Sequence, residues 1–217
     1  MRDKQSRAKA STKRFSNSYW QSLTGFTLVE LLVSVAIITI ISAFGIASFV
    51  GANRNATVKA QAQELKTQIR KLRTDSGAAL KPTNCSSNNG IVYGTYINFV
   101  QNDTKVTYGI SCFNSANVSF SSQNTLNLKA GLRQGNATYA NLTVFFGFDG
   151  EVKFFSGIST PPTKAQIDGS SLSGVNYLPI IVTDGSTIGS GNRRQVSLNL
   201  NGLVCDEVVN ASPSCAQ

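Results

Sequence analysis

No histidine occurs anywhere in the 217 residues. That absence removes the usual general base near neutral pH and the commonest metal ligand. The four cysteines, at 85, 112, 205 and 215, do not replace it, because none stands in the Cys-x2-Cys spacing of a metal site. No glycine-rich loop carries the lysine of a phosphate cradle. The ten acids beyond residue 25 are scattered, and Asp206 and Glu207 are adjacent rather than converging. Serine and threonine are abundant, but none has an evident activating base. The sequence points away from enzyme chemistry and asks for no metal or cofactor.

Charge is also scarce in one particular place. Residues 26–50 contain a single ionisable side chain, Glu30. As a helix this stretch would be about 37 Å long, enough to cross a hydrocarbon core. A carboxylate five residues into such a segment is expensive when unpaired, so it marks a functional position.

The segment Gly25-Phe26-Thr27-Leu28-Val29-Glu30, followed by its apolar run, resembles the amino-terminal signature of type IV pilins and type II secretion pseudopilins. The resemblance implies that prepilin peptidase cuts between Gly25 and Phe26 on the cytoplasmic side and methylates the new amine of Phe26. It makes residues 1–25 a leader and Glu30 the family's buried glutamate, used in assembly. The partners it implies are other pilin subunits in a homo- or hetero-filament, the peptidase, and an inner-membrane assembly platform. Electrostatics leads the same way. A cut before Phe26 creates a cation four residues from Glu30, within one helix or between staggered neighbours. Pairing the two removes a penalty of several kcal/mol and gives assembly a register.

The leader holds six basic residues against Asp3, and the remaining chain fourteen basic against ten acidic residues. The high isoelectric point therefore belongs mainly to a segment that would be lost. Basic residues before an apolar helix hold that end in the cytoplasm. The protein is then expected in the inner (cytoplasmic) membrane as a single-pass precursor, and later in an extracytoplasmic filament. Tyr19 and Trp20 fall near the expected interface, where amphipathic aromatics are favoured. A secretory signal peptide would have a shorter apolar region and a small-x-small site. A plain single-pass anchor fits the hydropathy but leaves the Gly-Phe-Thr-Leu-Val-Glu motif unexplained.

Two departures from the family pattern stand out. The leader is long for a mature phenylalanine, and no proline stands near Ala47, where many type IV pilins have one. Gly45 and Gly51 are the candidates for softening the helix.

Beyond Gly51, Val58, Ala62, Leu65, Ile69 and Leu72 recur at spacings of 4, 3, 4 and 3, one apolar stripe on a helix. The helix should continue to about Ser76, near 75 Å in all, with Gly77 as its cap. Too few clean heptads are present for a coiled coil. Strand chemistry then dominates, at residues 91–100, 105–110, 117–120, 142–148, 151–155, 178–182 and 195–200. Asp149-Gly150 and Asn201-Gly202 are hairpin signals. The expected fold is α+β, a long amino-terminal helix, membrane-spanning and then amphipathic, packed on an antiparallel β-sheet or sandwich. Its parts are a leader at 1–25, a transmembrane or filament-core helix at 26–50, an amphipathic continuation at 51–77, and a β-rich extracytoplasmic domain at 78–217.

All four cysteines lie beyond the apolar helix, as suits an oxidising compartment. Of three possible connectivities the local one, Cys85–Cys112 with Cys205–Cys215, is expected, each bridge contributing on the order of 3 kcal/mol. Seven Asn-x-Ser/Thr sequons, at Asn55, Asn84, Asn102, Asn117, Asn136, Asn141 and Asn210, read as a polar β surface, with glycosylation as the alternative. Arg193-Arg194, with Lys129 and Arg133, offers a nucleic-acid contact. The segments 146–150 and 192–204 resemble strand-turn segments of H-type minor pseudopilins and their pilus counterparts.

The reading is thus a structural subunit, of the minor kind, of a type IV pilus or type II secretion pseudopilus. The alternatives are a DNA-binding minor pilin of a competence-type pilus and a monomeric membrane-anchored binding protein.

Overall fold

The computed structural model describes residues 25–78, 85, 90–114, 119–157, 162–169 and 171–209, without the side chains at 44, 45, 47, 48, 119–121, 206 and 208. The leader apart from Gly25, the strand start at residues 117 and 118, and Cys215 lie outside it. The chain divides into two compact units, Met1–Ala47 and Ser48–Gln217.

Helix α1 runs from Leu28 to Gly77, and its helical assignment is unbroken at Gly45 and Gly51. In the first unit its described side chains, through Ala43, are all exposed. Among the described residues no helix is long and apolar enough to cross a membrane.

In the second unit the expected stripe is the buried face of α1. Val58, Ala62, Leu65 and Ile69 are fully buried, and Leu72 nearly so. They pack on two antiparallel sheets. The first has five strands, β1 (Ile91–Val100), β2 (Lys105–Phe113), β3 (Ser119–Asn127), β5 (Asn141–Gly147) and β6 (Val152–Ser156), in the order β3-β2-β1-β5-β6. The second joins β4 (Arg133–Gly135), β7 (Tyr177–Thr183), β8 (Arg193–Asn199) and β9 (Val204–Val208), in the order β4-β7-β8-β9.

Strand alternation separates two cores. Ile97, Phe99, Leu142, Val144 and Phe146 join the α1 stripe and the inner face of the second sheet, including Ile180, Val182, Val196 and Leu198. Tyr96, Phe113, Phe145 and Phe155 face the other way and bury Ile167. Ile167 belongs to a one-turn helix, α2 (Lys164–Asp168), started by a capping box between Thr163 and Gln166.

The hairpin signals hold. Asp149-Gly150 joins β5 to β6, with Gly150 at φ 87° and Gly147 N donating to Glu151 O at 2.8 Å. Asn201-Gly202 joins β8 to β9. Three elements escaped the hydrophobic pattern. β3 extends through the polar run to Asn127, because edge position asks for few apolar residues. β4 is only three residues long, and α2 buries one apolar side chain.

Candidate functional site: the start of the long helix

Gly25, Phe26 and Thr27 are non-helical, and α1 begins at the next residue. Thr27 is therefore the N-cap and Glu30 the third helical position. The Glu30 backbone N–H donates to Thr27 Oγ1 at 3.2 Å. In return Thr27 N donates to Glu30 Oε2 at 3.4 Å, and Thr27 Oγ1 to the same oxygen at 3.3 Å. This is a capping box, two orphan donors of the helix start satisfied reciprocally. Its carboxylate also sits favourably at the positive end of the helix dipole. The sequence signal was Thr-x-x-Glu before an apolar run.

The hydroxyls that follow are satisfied within the helix. Ser34 Oγ donates to Glu30 O at 2.7 Å and Thr39 Oγ1 to Ala36 O at 2.8 Å. Such bonding suits a helix surrounded by apolar groups. Phe26 and Leu28 are 76% and 80% exposed, and Leu31, Leu32, Ile38 and Ile41 are exposed too. A contiguous apolar surface of this kind calls for a covering partner, lipid or protein.

Residues 24–46 match the family model described as the prokaryotic N-terminal methylation motif. The match supports the type IV pilin and pseudopilin family for this chain. The match covers the helix start and not the β unit, so it speaks for a prepilin peptidase substrate that assembles with other pilins. It also speaks for a membrane-anchored precursor and a later surface filament. No curated protein and no solved structure matches the chain.

The other residues expected of this pilin-like chain lie in the second unit. Cys85 and Cys112 form a disulfide, with Cα atoms 5.9 Å apart. It ties the segment before β1 to β2. Cys205, on β9, is disulfide-bonded, and its expected partner Cys215 lies outside the described residues. Arg193 and Arg194 line one cleft of about 300 Å³ together with Asn55 of α1. Lys129 and Arg133 do not line it; Arg133 Nη1 donates to Asn102 O at 2.7 Å. Among the sequons, Asn136 is buried, with its side-chain amide donating to Pro179 O at 2.7 Å, which leaves no room for a glycan.

A polar cluster that sequence reading missed joins α2 to β1. Tyr93 Oη donates to Asp168 Oδ1 at 2.7 Å, and Lys164 Nζ bonds Asp168 Oδ2. The Lys164 hydrogen bond, then that of Tyr93, holds the Asp168 carboxyl below the usual aspartate value. The bond to Asp168 raises both Lys164 and Tyr93.

Proposed function

We propose that the chain is a minor structural subunit of a type IV pilus or a type II secretion pseudopilus. Its leader is removed between Gly25 and Phe26, and the Phe26 amine is methylated. Residues 26–50 hold the precursor in the inner membrane and afterwards pack helix against helix in the filament. Glu30 neutralises the Phe26 amine of its own or a neighbouring subunit. The work of the protein is assembly, with no catalytic step of its own.

The observation that carries this reading is the methylation motif over residues 24–46, with Glu30 in the first turn of a helix whose described apolar side chains are exposed. The minor role is supported by the long leader and by the resemblance of residues 146–150 and 192–204 to minor pseudopilins. Mass spectrometry of the amino terminus, on protein from membranes or shed filaments, tests the processing. A chain beginning at Phe26 and heavier by one methylene is expected. A chain beginning at Met1, or after Ala43 or Ala47, would sink the proposal.

A DNA-binding minor pilin is the second reading, favoured by the cleft that Arg193 and Arg194 share with Asn55. Salt-sensitive DNA binding, lost when both arginines become alanine, would support it.

A further inference from the structure

The two sheets of the second unit end in β3, β6, β4 and β9, and three of these edges are closed. On β9 the outward carbonyl of Val204 accepts from Arg70 Nη2 at 3.2 Å, and that of Gly202, just before the strand, from Arg73 Nη1 at 2.9 Å. On β6, Phe154 O accepts from Leu172 N at 2.7 Å. β4 is three residues long, and its Gln134 N donates to Asp103 O at 2.9 Å.

The fourth edge, β3, is open. All nine of its residues pair with β2 in unbroken register, from Lys105 opposite Asn127 to Phe113 opposite Ser119. Leu128 N donates to Thr104 O at 2.9 Å, which continues that register and fixes the groups that point inward. By alternation the backbone N–H and C=O of Ser119, Ser121, Gln123, Thr125 and Asn127 point away from β2. Among the described residues no group bonds to them. Gln123, Thr125 and Asn127 are also exposed. Sheet edges are ordinarily blunted by charge, proline or a bulge. β3 has no charged residue, no proline, no glycine and no shift of register. An edge in this state is a template for a further strand.

The sequence of β3 selects that strand. In a two-fold antiparallel pair centred on Gln123, Gln123 meets its own copy, Ser121 meets Thr125, and Ser119 meets Asn127. Between them Phe120 stands opposite Leu126, and Ser122 opposite Asn124. Apolar positions fall against apolar ones and polar against polar. A two-fold contact sets its central residue against itself, so a charge there would repel its copy. β3 carries none. With the other edges closed, β3 is also the edge that a second copy has to offer.

We propose that β3 is a self-association edge, through which two copies of this chain join their five-stranded sheets with β3 antiparallel to β3. A two-fold contact closes on itself and cannot propagate a filament, so it belongs to unassembled subunits. It holds whether or not the leader is cut, and so is independent of the processing reading.

The test uses the full chain in detergent. Gln123→Cys is treated with a short bis-maleimide, and Ser156→Cys, at an exposed position on β6, is the control. Cys85, Cys112 and Cys205 are disulfide-bonded and do not compete. Cross-linked dimer is expected from residue 123 and not from residue 156. In the unmodified chain, amide exchange at residues 121, 123, 125 and 127 should slow as concentration rises. Thr125→Pro removes an outward N–H and keeps the bonds to β2, so it should weaken the pair about tenfold. Gln123→Lys serves where the proline costs structure. It should weaken the pair about fivefold, and mixing it with Gln123→Glu should restore association. Equal cross-linking from residues 123 and 156 would overturn the proposal. Exchange at the four amides that ignores concentration would do the same, as would a lysine–glutamate mixture that associates no better than the lysine variant alone.

Discussion

Thr27 and Glu30 hold each other at the start of α1, the hydroxyl accepting from the Glu30 backbone at 3.2 Å and the carboxylate accepting from the Thr27 backbone at 3.4 Å. Glu30 therefore has a partner in the unprocessed chain. The Gly25–Phe26 peptide bond is left in non-helical backbone just outside the cap. In the proposed mature subunit the Phe26 amine becomes a second claimant for the same carboxylate, so capping and assembly can be separated by mutation.

Thr27→Ala should cost about 1 kcal/mol at the helix start. Amide exchange at residues 29–31 would rise roughly fivefold, while Thr27→Ser leaves it nearly unchanged. Glu30→Gln keeps an acceptor at the third helical position but loses the charge. Exchange should then stay slow while filament assembly fails. Filaments made by Glu30→Gln at normal yield would show that neutralising the amine is not what Glu30 is for.

The buried face of α1 was legible because Val58, Ala62, Leu65, Ile69 and Leu72 repeat at helical spacing against charged neighbours. Strands β1, β5, β6, β7 and β8 were legible through β-branched and aromatic runs. β3 was only begun, since Ser121–Asn127 carries little hydrophobic signal and its pairing with β2 comes from tertiary context. The capping box was spelled out in Thr27-x-x-Glu30 and overlooked. The Tyr93–Asp168–Lys164 cluster and the cleft that Arg54 shares with Asp184 were not legible. They join residues far apart in sequence, and no local pattern encodes that.

The two halves of α1 should respond oppositely to the same truncation. Leu65 is fully buried against both sheets, whereas Leu31 is 60% exposed. Leu65→Ala should cost about 2–5 kcal/mol of the second unit's stability through lost burial and a residual cavity. Leu31→Ala should leave the same urea transition, followed by near-ultraviolet circular dichroism of the full chain in detergent, where it was. A shift of similar size for both would mean that the exposed segment helps to stabilise the β unit.

The Tyr93–Asp168–Lys164 cluster gives the β unit a small pH dependence. Asp168 titrates lower in the folded chain than in the unfolded one, so its contribution is present above about pH 4 and lost as pH falls through the folded value. Lys164 and Tyr93 are raised, so theirs is full below about pH 10 and lost as pH rises through the folded values. All three groups are largely solvated, so the effect is modest. Asp168→Asn should lower the thermal midpoint at neutral pH, and its difference from the unmodified protein should shrink as the solution is acidified past the aspartate range. A difference that stays constant into strong acid would assign the loss to packing of α2 rather than to charge.

Gly202 joins the end of α1 to the second sheet through a position that only glycine fills easily. Its φ is 72°, and its carbonyl accepts from Arg73 Nη1 at 2.9 Å, beside a second bond from Arg70 Nη2 to Val204 O at 3.2 Å. A Cβ at Gly202 would stand 2.6 Å from Arg73 Nε. Gly202→Ala thus combines left-handed strain of about 1–2 kcal/mol with displacement of the guanidinium. Arg73→Ala removes the hydrogen bond and leaves the backbone relaxed, at a cost of about 1–3 kcal/mol. Both variants should speed amide exchange at residues 202–204. In the Arg73→Ala background Gly202→Ala should cost less than it does alone, because the clash is gone and only the backbone strain remains. A double variant whose loss equals the sum of the two single losses would show that Arg73 and Gly202 act independently.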